Sequence, residues 1–235
     1  MKTKSIYIYV VVIIFAIVLS SCTNELKIQD IGFEKSFSIA KKKHDNGNYL
    51  QALEDFNVLI LNYGGQIGID SVQYLLADTH FRLEEYYSSS YEFNKLTESF
   101  PESKLAEESY FNSAMSYYKL SPIYSLDQKE TYNAISKFQF YLDLYPVGQF
   151  ADKSNGFISE MREKLARKEF ESGKLYMKMD QPRAAKFYFL EVINNFYDTS
   201  YYALSLKFMA EASELMKDEY NFQVYQKKYD EAIKK

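Results

Sequence analysis

Gly47-Asn48-Tyr49-Leu50-Gln51-Ala52-Leu53-Glu54-Asp55-Phe56 opens a stretch that reaches its next turn at Gly64. In it a small residue, Ala52, precedes a large apolar one, Phe56, by four positions. The same step returns at Ser89/Phe93, Ala134/Phe138 and Ala185/Phe189. Eight residues beyond each Phe stands a turn: Gly64, Pro101, Pro146 and Tyr197-Asp198. Residues four apart share one face of a helix. The small one lets a neighbouring helix approach closely, and the ring fills the space beside it. Gly47-Asn48-Tyr49, upstream of the first copy, reads as a tight turn between two helices.

Small-to-large helical faces separated by turns are the pattern of tetratricopeptide repeats. The copies lie 37, 45 and 51 residues apart, so the array is irregular. The fold expected is an all-α, right-handed superhelix of about five helix pairs, and stacked helix pairs serve as surfaces for holding other chains. Helices are expected over 33–46 and 49–62, then 70–84 and 86–100, with Leu50, Leu53, Phe56, Ile60 and Leu61 giving the second a broad apolar face. A third pair spans 103–120 and a helix ending at Pro146. Between its helices Ser121-Pro122-Ile123-Tyr124-Ser125 is an insertion expected to loop out of the stack, since proline cannot extend the first helix. Residues 152–179 keep an apolar period (Phe157, Met161, Leu165, Phe170, Gly173) too long for a standard repeat helix, which would project beyond its partner, 183–196. Residues 199–217 and 219–233 form a degenerate last pair with a charged end. Repeats 1–3 thus occupy 33–150 and repeats 4–5 occupy 151–235.

The beginning of the chain is different in kind. Lys2 and Lys4 precede a 14-residue apolar run, Ile6–Leu19, too short for an ordinary membrane span. Leu19-Ser20-Ser21-Cys22 follows, and Cys22 is the only cysteine among 235 residues. Residues 1–21 read as a lipoprotein signal peptide, Cys22 as the lipid attachment site and residues 22–32 as a polar tether. The alternative is an ordinary secretory signal with a chance cysteine. Cleavage at Cys22 leaves 214 residues with 26 basic and 32 acidic side chains. That acidity argues against a nucleic-acid partner, and a multiply acylated cysteine would hold the chain to a membrane.

Chemistry is sparse. His44 and His80 lack a second histidine or cysteine at metal-ligand spacing, so neither a metal nor any other cofactor is expected. No nucleophile elbow, phosphate loop or dinucleotide fingerprint occurs. Glu84-Glu85 and Glu107-Glu108 read as solvated helix faces, and His80 as a packed residue. An enzyme is not expected. Most of the 23 Tyr and 18 Phe belong in the core, with the rest lining a groove.

Arg162-Glu163-Lys164-Leu165-Ala166-Arg167-Lys168-Glu169-Phe170 is similar to the long-helix signature (D/E)-R-L-A-x-x-E-(Y/F) of the BamD family of outer-membrane assembly lipoproteins. Phe100-Pro101-Glu102-Ser103 and Phe196-Tyr197-Asp198-Thr199 resemble that family's repeat-end turn, the second without its proline. The resemblance implies a non-enzymatic part of the machinery that inserts β-barrel proteins into the outer membrane. It implies that the last repeats dock on periplasmic domains of the central barrel subunit, with Arg162 among the contacts. The family's basic residue on the second helix of the fourth pair falls at Tyr188, with Arg183 and Lys186 nearby as candidates for its role. The first repeats would receive unfolded outer-membrane proteins, with Tyr63 a candidate contact. Two other classes stay open: a generic periplasmic tetratricopeptide adaptor in envelope biogenesis, and a glycan-capturing outer-membrane lipoprotein. The long helix disfavours the former, and the absence of tryptophan disfavours the latter.

The lipobox reading has a direct test. Cys22→Ser should leave an uncleaved or soluble form, seen by fractionation and intact-mass measurement. Normal recovery of that variant in the outer membrane would contradict it.

Overall fold

The computed structural model describes residues 31–234, so the signal peptide, Cys22 and most of the tether lie outside the described residues. Ten α-helices and no strand occur among those residues. They are α1 (Phe33–Asp45), α2 (Tyr49–Tyr63), α3 (Ile69–Arg82), α4 (Tyr86–Ser99), α5 (Ala106–Leu120), α6 (Lys129–Leu144), α7 (Ala151–Lys178), α8 (Pro182–Asn195), α9 (Tyr201–Leu215) and α10 (Glu219–Ala232). No described helix is long and apolar enough to cross a membrane. The chain forms two compact units, one ending at Gly65 and one beginning at Gln66.

In the first unit α1 packs on α2. Ala40, Ala52, Phe56 and Leu59 are wholly buried. The apolar face of α2 is narrower than its composition suggests, because Leu50 and Leu61 point outward. Helical spacing explains this: Ala52, Phe56 and Leu59 complete one stripe, and residues 50 and 61 fall off it.

In the second unit each helix from α3 to α10 packs against the next, and α7 also meets α9. This is the neighbour pattern of a tetratricopeptide stack. Four of the five pairs turn in one way. Gly47, Glu84, Asp180 and Lys217 take positive φ (78°, 61°, 54° and 61°). The next amide in each case donates five residues back, to the carbonyls of Lys43, His80, Tyr176 and Ser213, all at 2.9 Å. That is a Schellman closure. Only the first turn uses glycine; the other three accept the left-handed conformation at a cost of about 1 kcal/mol each.

The third pair has the insertion instead. It does not loop out. Lys164 donates to Ser121 Oγ (2.8 Å) and Lys168 to the Leu126 carbonyl (2.6 Å), while the Arg167 guanidinium stacks 4.1 Å from the Tyr124 ring. Gln128, buried, ties the segment to itself through the carbonyls of Ile123 and Leu126. Three cations on one face of α7, at positions 164, 167 and 168, thus hold residues 121–126 against the helix.

Helix α7, at 28 residues and about 42 Å, joins two cores rather than projecting past one. Its Met161 packs with Phe111, Phe138 and Tyr141, and its Leu165, Ala166 and Phe170 pack with Phe189, Val192 and Met209. The α6–α7 corner is tied by Tyr141, whose hydroxyl donates to Glu107 Oε1 (2.8 Å) and accepts from the Phe150 amide (3.0 Å). The Gln149 amide donates to the same Glu107 oxygen at 2.7 Å. Burial, then this hydrogen bond, pushes the Tyr141 phenol up to about 12. Glu107 is therefore a structural acceptor and not a solvated acid. Helix α5 begins at Ala106 rather than 103 because Ser103 bonds back to Asp70 (2.6 Å) from a turn.

Gly173 sets the closeness of α7 to α8. A Cβ there would stand 2.5 Å from Cε1 of Phe189, itself wholly buried. Gly173→Ala should gain up to about 1 kcal/mol of helix propensity and lose about 1–3 kcal/mol to overpacking. The expected outcome is a lower melting temperature; a higher one would show that Phe189 can move aside.

Candidate partner-binding surface

The residues proposed from sequence for partner binding fall in distinct surroundings. Arg162 is committed within the chain. Its Nε donates to Asp198 Oδ2 (2.7 Å), and its Nη2 to Asp198 Oδ1 (2.5 Å) and the Asn195 carbonyl (2.7 Å). The guanidinium also lies 5.4 Å from the Phe196 ring centre. Adjacent Glu163 accepts from the Ser200 amide (3.0 Å) and hydroxyl. Arg162 and Glu163 together grip the turn between α8 and α9, 33–37 residues away. The two-pronged contact with Arg162 holds the Asp198 carboxyl below the usual range and raises Arg162 in turn.

Arg183 and Lys186 lie on α8, which starts at Pro182, a proline at the first helical position. Arg183 is exposed and borders a cleft of about 500 Å³ between the α7–α8 turn and the end of α9. Asp180, Leu215, Met216 and Lys217 share that cleft. Among the described residues no carboxylate lies within 4.0 Å of Arg183. Lys186, half-buried, acts on Asp218, whose carboxyl is lowered first by the hydrogen bonds from Asn221 and then by Lys186. Phe187, one helical turn beyond Arg183, is 74% exposed. The buried pair Ala185/Phe189 places position 187 on the opposite face, a register already legible in the repeat pattern.

Tyr188 stands apart from that cleft. Its ring stacks on Tyr176 of α7, with centroids 5.2 Å apart and planes 15° from parallel. Tyr176, then burial, raises its phenol, and nearby Glu169 adds to the shift. Glu169 is itself raised, by burial first and then by Glu191. Where the resemblance implies a basic side chain, the structure thus has an aromatic pair beside two acids.

Tyr63 closes α2 in the first unit. Its ring sits 5.6 Å from Phe33, joining the end of α2 to the start of α1. In the second unit, a cleft of about 310 Å³ is bordered by Tyr74, Asp78, Arg82, Glu108, Asn112 and Met115 of α3 and α5. Asn112 donates to the Tyr74 hydroxyl at 3.2 Å, and burial together with Glu108 pushes that phenol well up. His80, with most of its side chain covered, bonds Glu85 through Nδ1 at 2.7 Å. Among the described residues no group of three or more His, Cys, Asp or Glu side chains could hold a metal ion.

A family model described as YfiO, outer membrane lipoprotein, matches residues 30–228. The chain belongs to that family. It is 26% identical over 172 residues to the outer membrane protein assembly factor BamD of Rickettsia prowazekii (strain Madrid E), across 73% of this chain and 68% of that protein. Among solved structures it is similar to the TPR2AB-domain:pHSP90 complex of yeast Sti1, with TM-score 0.49 and 16% identity over 85% of this chain and 77% of that one. BtubC of P. vanneervenii gives TM-score 0.37 and 10% identity over 89% and 82%. The match to the YfiO family takes in both compact units, the long helix α7 and the Arg162–Asp198 clamp.

That clamp has a pH signature. Asp198 is lowered in the folded chain, so its contribution is present above the unfolded carboxylate value of about 3.9 and is lost as pH falls through the folded value. Arg162→Gln should cost about 1 kcal/mol near neutrality, reduced by solvent screening. The difference in melting temperature from the unaltered chain should shrink in acid. A difference that does not change with pH would place the effect elsewhere.

Proposed function

We propose that this chain is a non-catalytic lipoprotein scaffold of the machinery that assembles β-barrel proteins in the outer membrane. The observation that carries this reading is the match of the outer-membrane lipoprotein family to residues 30–228, supported by the likeness to an assembly factor across 73% of the chain. Helix pairs with exposed, chemically mixed clefts are suited to holding chains rather than transforming small molecules.

In this reading the lipid on Cys22 tethers the protein to the periplasmic face of the outer membrane. Repeats 4 and 5 dock on periplasmic domains of the central barrel subunit. The cleft beside Arg183, with exposed Phe187 on the same helix, supplies a cation that has no carboxylate within 4.0 Å among the described residues and a large apolar contact, the combination that forms strong interface anchors. Arg162 contributes by holding the α8–α9 turn in place, and Lys186 by its charge at the same end of α8. Tyr188, stacked on Tyr176, offers an aromatic platform on another face. The first repeats, with Tyr63, receive unfolded barrel proteins.

The test is affinity capture of the lipidated protein from membranes, with Arg183→Glu and Lys186→Glu combined. Placing acids against an acidic partner surface costs several kcal/mol, so recovery of the barrel subunit should fall about tenfold or more. It should fall too with Arg183→Glu alone, which leaves the Lys186–Asp218 interaction and the melting curve unchanged. Undiminished recovery would remove Arg183 and Lys186 from the interface. Absence of any barrel subunit with the unaltered chain would favour a generic periplasmic adaptor.

A further inference from the structure

A third cleft, of about 260 Å³, lies between α4 and α6 with α5 beneath it. Asn94, Glu98, Tyr110, Ser113, Lys137 and Phe140 border it. We propose that this cleft is a binding site for an acidic side chain of an extended polypeptide, with the carboxylate meeting Lys137 and an adjacent apolar residue lying on Phe140. The assignment is argued from the side chains alone and concerns different residues from the cleft at Arg183.

Lys137 carries the argument. Its side chain is half-buried, yet among the described residues no carboxylate comes within 4.0 Å of its ammonium. Its partners are the Asn94 amide oxygen at 3.4 Å and the Tyr117 ring, 5.2 Å from Nζ to the centroid. Both are weak substitutes for an ion partner. The same Asn94 oxygen already accepts from Ser113 Oγ at 2.7 Å. Burial pulls the Lys137 ammonium down, and the more distant Glu98 only partly opposes this. In a chain whose acids outnumber its bases 32 to 28, a half-buried lysine whose nearest acid, Glu98, stays beyond ion-pair distance is suited to receive a closer carboxylate. Solvent screens such a group less than a surface lysine, so a fitted anion would gain more.

The walls narrow the ligand class. Phe140 is 53% exposed and its ring meets Tyr110 edge-on at 5.7 Å, so an aromatic ledge stands open beside the cation. Glu98 on the border disfavours a dianion such as phosphate and tolerates a single charge better. A carboxylate on a flexible side chain can reach a recessed ammonium while its own backbone and neighbour cover the ledge. The Asn94 amide nitrogen remains as a further donor.

The experiment titrates the mature chain with the blocked tripeptide acetyl-Phe-Glu-Phe-amide and its Gln analogue, following binding by calorimetry at low and moderate salt. The Glu peptide should bind at least about tenfold more tightly than the Gln peptide. Lys137→Met should abolish that preference with an unchanged melting curve, and Lys137→Arg should keep part of it. Equal binding of the two peptides, or a preference that survives Lys137→Met, overturns the proposal. Inorganic phosphate competing as well as the Glu peptide overturns the carboxylate assignment. A free-carboxyl peptide, acetyl-Phe-Gln-Phe, binding more tightly than the Glu peptide overturns the side-chain assignment in favour of a chain end.

Discussion

A large ring seated against a small residue one turn away is the contact on which the helix pairs depend. Ala52/Phe56, Ala134/Phe138 and Ala185/Phe189 are wholly buried, and Ser89/Phe93 nearly so. Each small residue removes bulk where two helices cross, and each ring fills what that removal leaves. Gly173 carries the same logic furthest, since even one methyl would strike Phe189. Where serine replaces alanine, its hydroxyl needs a partner in the core. The second unit supplies it with a run of hydroxyl contacts between α4 and α5: Ser116 to Ser89 at 3.1 Å, Ser113 with Ser90 at 2.8 Å, and Ser113 to Asn94 at 2.7 Å. That run leaves out Ser109 of α5, whose buried hydroxyl has no hydrogen-bond partner among the described residues, so the polar contact is satisfied only in part.

How far sequence could foresee this structure depends on how local each cause is. The ten helices follow from short-range periodicity and from Pro101, Pro146 and Pro182, and their limits fall within a few residues of expectation. Gly47 announces its turn, whereas Glu84, Asp180 and Lys217 adopt the same left-handed conformation without a residue that advertises it. The insertion looks detached because its proline ends a helix, yet what holds it is a trio of cations some 40 residues away. Glu107 looks like a surface acid until Tyr141 and the Gln149 amide meet it across the corner.

The candidate surface shows the same division. Arg162 stood out in the sequence through its neighbours in a recognisable segment, but Asp198, which engages it, lies 36 positions on. Arg183 was legible as a cation on α8, and the cleft beside it was not, because the end of α9 forms its other side. Phe187 could have been read from register alone, as the residue diametrically opposite the buried Ala185/Phe189 stripe. Lys137 gave no signal at all: a lysine becomes distinctive only when packing withholds its acid.

A scaffold that works in barrel assembly should be needed for barrels in particular. The most direct measurement is depletion of this protein in cells, followed by quantitation of outer-membrane proteins with folded barrels scored by heat-modifiable migration. The account predicts that folded barrel proteins fall together while lipid-anchored outer-membrane proteins keep their levels. Barrel proteins that fold and accumulate normally after depletion would contradict it.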